Sequence, residues 1–203
     1  MSINIVCRLE GAERAKSILA DYPNRAHKAI RDSIITASKS TQAEMNRLVK
    51  ERYAISQSNL RSVNKIIPIL PEKSGDEEKG GFITQGPRIP TIKFSVIPST
   101  PQSQIGLRRD HRTNVSVMVV KGVATVAVPN RFVVGVRSGH IGLFHRVAGS
   151  ASLPIDQSYR PAIAELIRSH HIRPKLEAKM TETFQKELIR QTERQLKLLH
   201  QKK

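Results

Sequence analysis

Between Arg25 and Val49 the residues Ile30, Ile34, Ala37, Thr41, Met45 and Leu48 return at spacings of four and three, with Lys, Arg, Gln and Glu filling the gaps. Side chains three and four apart share one face of an α-helix, so this spacing predicts an amphipathic helix of about seven turns. Such a helix is longer than the usual globular one, which leaves room for one end to reach past the body of its own subunit. Its plainest use is a packed helix with a solvated charged face, and contact with a neighbouring copy is compatible with that. Asn24, following Pro23, stands where an N-cap is expected.

A second stripe closes the chain. Leu176, Met180, Phe184 and Leu188 recur every four residues, and Pro174 suits a first helical turn, so a helix is expected from Pro174 to about His200. Its opposite side carries Lys175, Lys179, Lys186, Arg190, Arg194 and Lys197, partly relieved by Glu182 with Lys186 and Glu193 with Lys197. A short helical stretch around Pro161 to His170 precedes it. The apolar side has no Trp and one aromatic residue, which argues against a membrane-surface helix.

Between the two helices, Ser56 can cap a short helix from Gln57 to Asn64. Ile66 to Leu70 is apolar but contains Pro68, the mark of an edge strand or connector. Glu72 to Gly81 has no apolar residue and three glycines, and is expected to be a mobile loop. Strand signals follow at Thr91–Ile97, Val115–Val120, Val123–Val128, Phe132–Val136 and Leu143–Val147. Lys121-Gly122 joins the second and third of these as a hairpin. Val115, Val117 and Val119 point one way and Met118 and Val120 the other, so both hairpin faces should be covered. The expected fold is α+β: a long N-terminal helix, an antiparallel sheet of four or five strands, and a long basic C-terminal helix. A single domain is expected, with 1–70 helical, 71–159 the sheet part with a mobile loop at 72–81, and 160–203 helical.

A chain of 203 residues suits one domain. Hydrophobic residues make up 38%, aromatics 4%, and Trp is absent, so the core is aliphatic and thin, with partner subunits available to complete it. The 34 Lys and Arg against 17 Asp and Glu leave a formal charge of +17, which favours polyanionic partners, nucleic acid first among them. The excess is spread along the whole chain, which suits a charged folded object better than a globule with a basic tail. A lone cysteine, Cys7, excludes an internal disulfide and a cysteine-based zinc site, and suggests a reducing compartment. Neither an export signal nor a run of about 18 apolar residues occurs, so neither export nor membrane insertion is expected.

Catalytic patterns are missing from the sequence: no glycine-rich phosphate loop, no His-Glu-x-x-His, no nucleophile elbow. His170 and His171 are adjacent and diverge on a helix, and His140 and His145 have no carboxylate at ligand spacing, so these read as surface or packing residues. Asp110 reads as a counter-charge within Arg108-Arg109-Asp110-His111-Arg112, and Asn114-Val115-Ser116 as a glycosylation pattern without an export signal. No catalytic residue, metal site or cofactor is expected. Arg108, Arg109 and Arg112, on the connection into the hairpin, are candidates for phosphate or for acidic groups on a partner. Lys121, Lys186, Arg190, Arg194 and Lys197 join them. With three Tyr and five Phe scattered along the chain, stacking on bases is not expected, and any nucleic-acid contact should be to backbone and salt-sensitive.

Several motifs occur in order: Leu48-Val49-Lys50-Glu51-Arg52, Ile89-Pro90-Thr91-Ile92-Lys93-Phe94, Arg146-Val147-Ala148-Gly149, Pro154-Ile155-Asp156, and the basic terminal helix. In that order the chain resembles the minor tail protein Z family, the tail completion proteins of long-tailed phages and prophages. The resemblance implies a structural component of the head-tail junction, not an enzyme, which finishes the head-proximal end of the tail and helps the genome pass from head to tail. It implies a place in the virion after assembly in the host cytoplasm, and self-association into a ring matched to the sixfold tail, hence a hexamer. Implied partners are the tail terminator, the connector, the tape-measure protein and, through backbone contacts, genomic DNA, with no membrane. Arg146, Gly149, Pro154, Ile155 and Asp156 are then structural motif residues, with Arg146 and Asp156 expected to pair across the turn. The competing class is a freestanding basic protein that binds the nucleic-acid backbone without sequence preference.

Overall fold

A computed structural model describes residues 2–70, 79–101, 114–147 and 154–201. The first half runs β1 (Ser2–Arg8), α1 (Ala12–Ile18), α2 (Pro23–Arg52), α3 (Gln57–Val63), β2 (Lys65–Ile69), β3 (Lys79–Gln85) and β4 (Arg88–Pro90). A 3₁₀ turn at Thr91–Lys93 leads to β5 (Ser95–Ile97), β6 (Ser116–Met118), β7 (Val126–Ala127), β8 (Arg131–Gly135) and β9 (Ile141–Arg146). Then come β10 (Ile155–Gln157), β11 (Tyr159–Ala162), α4 (Ile163–Ile167) and α5 (Arg173–His200). The protein is therefore mixed helix and sheet, with a long helix near each end. It divides into two compact units: a helix-rich one from Ser2–Arg47, Lys65–Gln85 and Ile167–Lys203, and a strand-rich one from Leu48–Asn64 and Gly86–Leu166.

In the helix-rich unit β3 is the central strand of an antiparallel sheet ordered β1-β3-β2. Ile5 pairs with Phe82 and Ile3 with Thr84, and these four side chains make a buried face. The two long helices supply its cover. On α2, small or short residues (Ala26, Ala29, Ser33, Ala37, Ser38) alternate with Ile30, Ile34 and Met45 on the buried stripe, which allows close approach. On α5 the buried stripe is Leu176, Met180, Phe184 and Leu188, continued by Gln191, Thr192 and Gln195. Buried hydroxyls are satisfied locally or across the layers: Ser33 donates to Ala29 O (2.7 Å), Thr192 to Leu188 O (2.8 Å) and Ser38 to Gly81 O (3.2 Å).

Gly80 and Gly81 belong to this central strand, not to the loop expected at 72–81; residues 72–78 of that stretch lie outside the described residues. Space is the reason. A Cβ at Gly81 would stand 2.0 Å from Ile5 O, and one at Gly80 2.8 Å from Ile34 Cδ1. Glycine here serves backbone approach and helix-sheet packing, although the residue is also a common loop signal. Further elements escaped the sequence reading: β1, whose signal is the alternation of Ile3 and Ile5, α1, which follows Gly11 at φ 90° and buries Ala12 and Ala15, and the short strands β4, β10 and β11. Asn24 is not an N-cap; α2 already opens at Pro23, a residue well suited to a first helical position. Pro68 lies on the edge strand β2, as its missing N–H requires.

The strand-rich unit holds three small antiparallel sheets, ordered β10-β9-β8, β11-β4 and β5-β6-β7. The expected single sheet of four or five strands is thus replaced by short ones, because β8 pairs with β9 and not with the β5-β6-β7 strands, and Thr91–Ile97 is itself only partly extended. Thr91 to Lys93 winds into the 3₁₀ turn, closed by Phe94 N–H on Thr91 O (3.1 Å), and only Ser95–Ile97 pairs as a strand. Val96, Val115, Val117, Val133 and Leu143 form its core cluster, with Ile92, Val119 and Val128 packed against it. Lys121-Gly122 sets the hairpin register: Val117 pairs with Val126, Ser116 with Ala127, and Gly122 has φ 78°. One apolar hairpin face is buried in this cluster. The outer strand is shorter than expected, and Val123 and Val126 are 56% and 60% exposed. Ser56 caps α3 by accepting from Asn59 N–H (3.2 Å).

Because Phe184 is fully buried between the long helices and the sheet, Phe184→Ala should cost about 3–5 kcal/mol. Ile189→Ala, at a site 64% exposed on the same helix, should change stability by about 0.5 kcal/mol or less. Equilibrium unfolding in denaturant measures both.

Candidate functional site

The basic side of α5 is not uniform along its length. Near its start Arg173 pairs with Glu177 (2.8 Å) and Lys179 with Glu182 (3.4 Å), and Glu44 of α2 faces Lys175 and Lys179. Arg47 grips that same Glu44 through both carboxylate oxygens, at 2.9 and 2.6 Å. This hydrogen-bonded guanidinium lowers the Glu44 carboxyl below its ordinary value, against an opposing push from burial, and Lys179 and Lys175 add smaller pulls downward. In the second half of α5, Arg190 pairs with Glu187 (2.6 Å). Lys186, Arg194 and Lys197 are exposed and have no acidic partner among the described residues. The expected pairs of Glu182 with Lys186 and Glu193 with Lys197 do not form; Glu182 turns to Lys179 instead, one of the two near-equivalent spacings on a helix. Free positive charge is therefore concentrated in the last four turns.

Lys121 is exposed at the hairpin turn of the strand-rich unit, its backbone N–H held by Arg52 O (2.8 Å). It belongs to a different unit from the α5 candidates. Arg108, Arg109, Arg112 and Gly149 lie outside the described residues.

The motif segment forms an antiparallel ribbon. Arg146 on β9 pairs with Ile155 on β10, His145 pairs with Asp156, and Val147 N–H donates to Pro154 O (3.2 Å). Neighbouring residues of a strand point to opposite faces, so Arg146 and Asp156 look away from each other and the expected pair across the turn is not what fixes it. Instead the Arg146 guanidinium lies 5.5 Å from the Phe132 ring centroid, and Asp156 Oδ1 accepts from Gln157 N–H (2.8 Å).

The same register gathers Arg131 and Ser158, which sequence reasoning did not single out, beside His145 and Asp156, which it did. Arg131, His145 and Asp156 are cross-strand neighbours on one face of β8, β9 and β10, the face that also carries Val133, Leu143 and Ser158. Arg131 Nη1 donates to Ser158 Oγ (3.1 Å), and Ser158 O accepts from Thr91 N–H (2.9 Å). Arg160 follows two residues later; burial first, and repulsion from Arg131 second, lower it from the ordinary arginine value. Arg160 Nε, His145 Nδ1 and Thr91 Oγ1 are buried without a hydrogen-bond partner. These residues are far apart in sequence and interrupt no pattern; the only local hint was the polar run Asp156-Gln157-Ser158 before Arg160.

In the helix-rich unit, α1 and α5 also frame a cleft of about 530 Å³ lined by Ala15, Ile18, Leu188, Ile189 and Leu196, with Glu10 and Glu193 at its rim. Among the described residues no group of three His, Cys, Asp or Glu could hold a metal, and no helix is long and apolar enough to cross a membrane. No family model matches the chain, and no curated protein or solved structure matches it.

Two measurements follow from this charge distribution. Replacing Lys186, Arg190, Arg194 and Lys197 together by Gln should weaken binding to duplex DNA and flatten its salt dependence by about 0.9 in log-log slope per phosphate contact removed, read by fluorescence anisotropy. Glu44, whose folded carboxyl titrates below the ordinary 4.5, contributes stability that is complete above that value and fades as pH falls through the lower folded one. Thermal unfolding of Glu44→Gln should therefore lie below wild type near neutrality and converge with it in acid, once the pH has fallen through the lowered folded value.

Proposed function

We propose that this protein is a structural component of the phage head-tail junction, completing the head-proximal end of the tail and helping the genome pass into it. The reading rests on the ordered motifs shared with minor tail protein Z, and the observation that carries it furthest is the form of the most characteristic one. Arg146-Val147 and Pro154-Ile155 are hydrogen-bonded partners of one ribbon, so the pattern of residues corresponds to a defined shape. Long-tailed phages pass DNA along a symmetry axis, and a ring of six copies presents six times the +17 charge of one chain around that axis. Other tail and neck proteins, among them the tail terminator, connector and tape-measure protein, are the proposed contacts, with DNA held only through its backbone. In this reading the protein works by shape and charge and forms no bonds with a substrate.

Lys186, Arg194 and Lys197, exposed and without an acidic partner among the described residues, favour one competing reading, a freestanding protein that coats nucleic acid. Salt separates the two. A junction protein should sediment with purified tails after a wash at about 1 M salt, where charge interactions are screened beyond a few ångströms. Complete release of the chain into the supernatant, with tails left intact, would sink the junction proposal in favour of the coating one.

A further inference from the structure

We infer that Arg131 and Arg160, with Ser158 and His145 beside them, form a binding site for a single oxyanion, a carboxylate or a phosphate group. The site belongs to the strand-rich unit and does not depend on the junction reading. Strand register brings Arg131 level with His145, the Arg131–Ser158 hydrogen bond of 3.1 Å reaches the residue that links β10 to β11, and Arg160 follows two residues on, within range of the Arg131 charge. Both guanidiniums are half-buried and close enough to repel.

Half-buried like charges are normally placed together only when something of opposite sign is shared between them. Here no acidic side chain among the described residues pairs with either arginine. The nearest carboxylate by register, Asp156, is exposed and already accepts its neighbour's backbone N–H. Three polar atoms around the cluster, Arg160 Nε, His145 Nδ1 and Thr91 Oγ1, are buried and unpaired, an unusual concentration for one small region. Ser158 Oγ accepts from Arg131 and still has its own proton to donate. The set offers planar guanidinium forks, one hydroxyl and one imidazole, and no acceptor-rich group, which selects an oxyanion over a cation or a neutral sugar.

The test is calorimetric titration of the purified full chain with inorganic phosphate and, in a second arm, with glutarate, each at constant ionic strength balanced with chloride. One saturable site per chain is expected for at least one of the two. Arg160→Gln and Arg131→Gln should each weaken it roughly ten- to a hundredfold, the loss expected for a charge-assisted hydrogen bond. Arg61→Gln, which removes the same charge from an exposed position on α3, should leave it within about threefold. Tighter binding of phosphate identifies a phosphate-bearing ligand, and tighter binding of glutarate an acidic side chain of a partner chain. Absence of saturable heat with wild type in both arms overturns the proposal without recourse to any variant, as does equal binding by folded Arg160→Gln and wild type.

Discussion

The burial of the α5 stripe is the constraint on which the helix-rich unit depends. Leu176, Met180, Phe184 and Leu188 have no alternative cover in a chain with 4% aromatics and no Trp. They are shielded by α2 and by a three-stranded sheet too small to form a core unaided. Close approach makes this thin aliphatic layer sufficient: alanines and serines along α2, and two consecutive glycines in the central strand, let backbones come near enough for short side chains to fill the space. A composition that looks poor for folding is matched by geometry that needs little volume.

Charge follows a different logic from packing. The total of +17 is nearly uniform along the sequence, yet the fold sorts it. Glutamates on α5 and α2 partner the cations at the beginning of the last helix, whereas Arg194 and Lys197 near its end have no acidic partner among the described residues. Exposed pairs of this kind contribute little to stability. Their effect lies in deciding where the field remains positive, and so where a polyanion or an acidic surface meets the molecule.

The long helices were legible in the sequence because apolar residues repeating at three and four over many turns suit a helix and fit no strand. Strand positions from Val115 to Val147 were legible too, including the register set by Lys121-Gly122. What could not be read was non-local. Gly80-Gly81 carries an identical signal in a loop and in a crowded strand, and only the nearby Ile5 and Ile34 distinguish them. Thr91–Ile97 has strand composition, but its first turn winds up because Ser158 and Ile55 claim its backbone and its neighbour Phe94. The α5 cations were found by periodicity, whereas the Arg131 and Arg160 pair arises from strand register and leaves no trace in local spacing.

The discontinuity of the two units bears on the order in which a growing chain can acquire structure. The strand-rich unit is complete once Leu166 has left the ribosome, whereas the earlier segments Ser2–Arg47 and Lys65–Gln85 must wait for residues beyond Ile167. The surfaces of α2 and the sheet that α5 covers stay without that cover until the helix is made. Docking of α5 is thus the closing step for the helix-rich unit, although two of its three segments precede most of the strand-rich one.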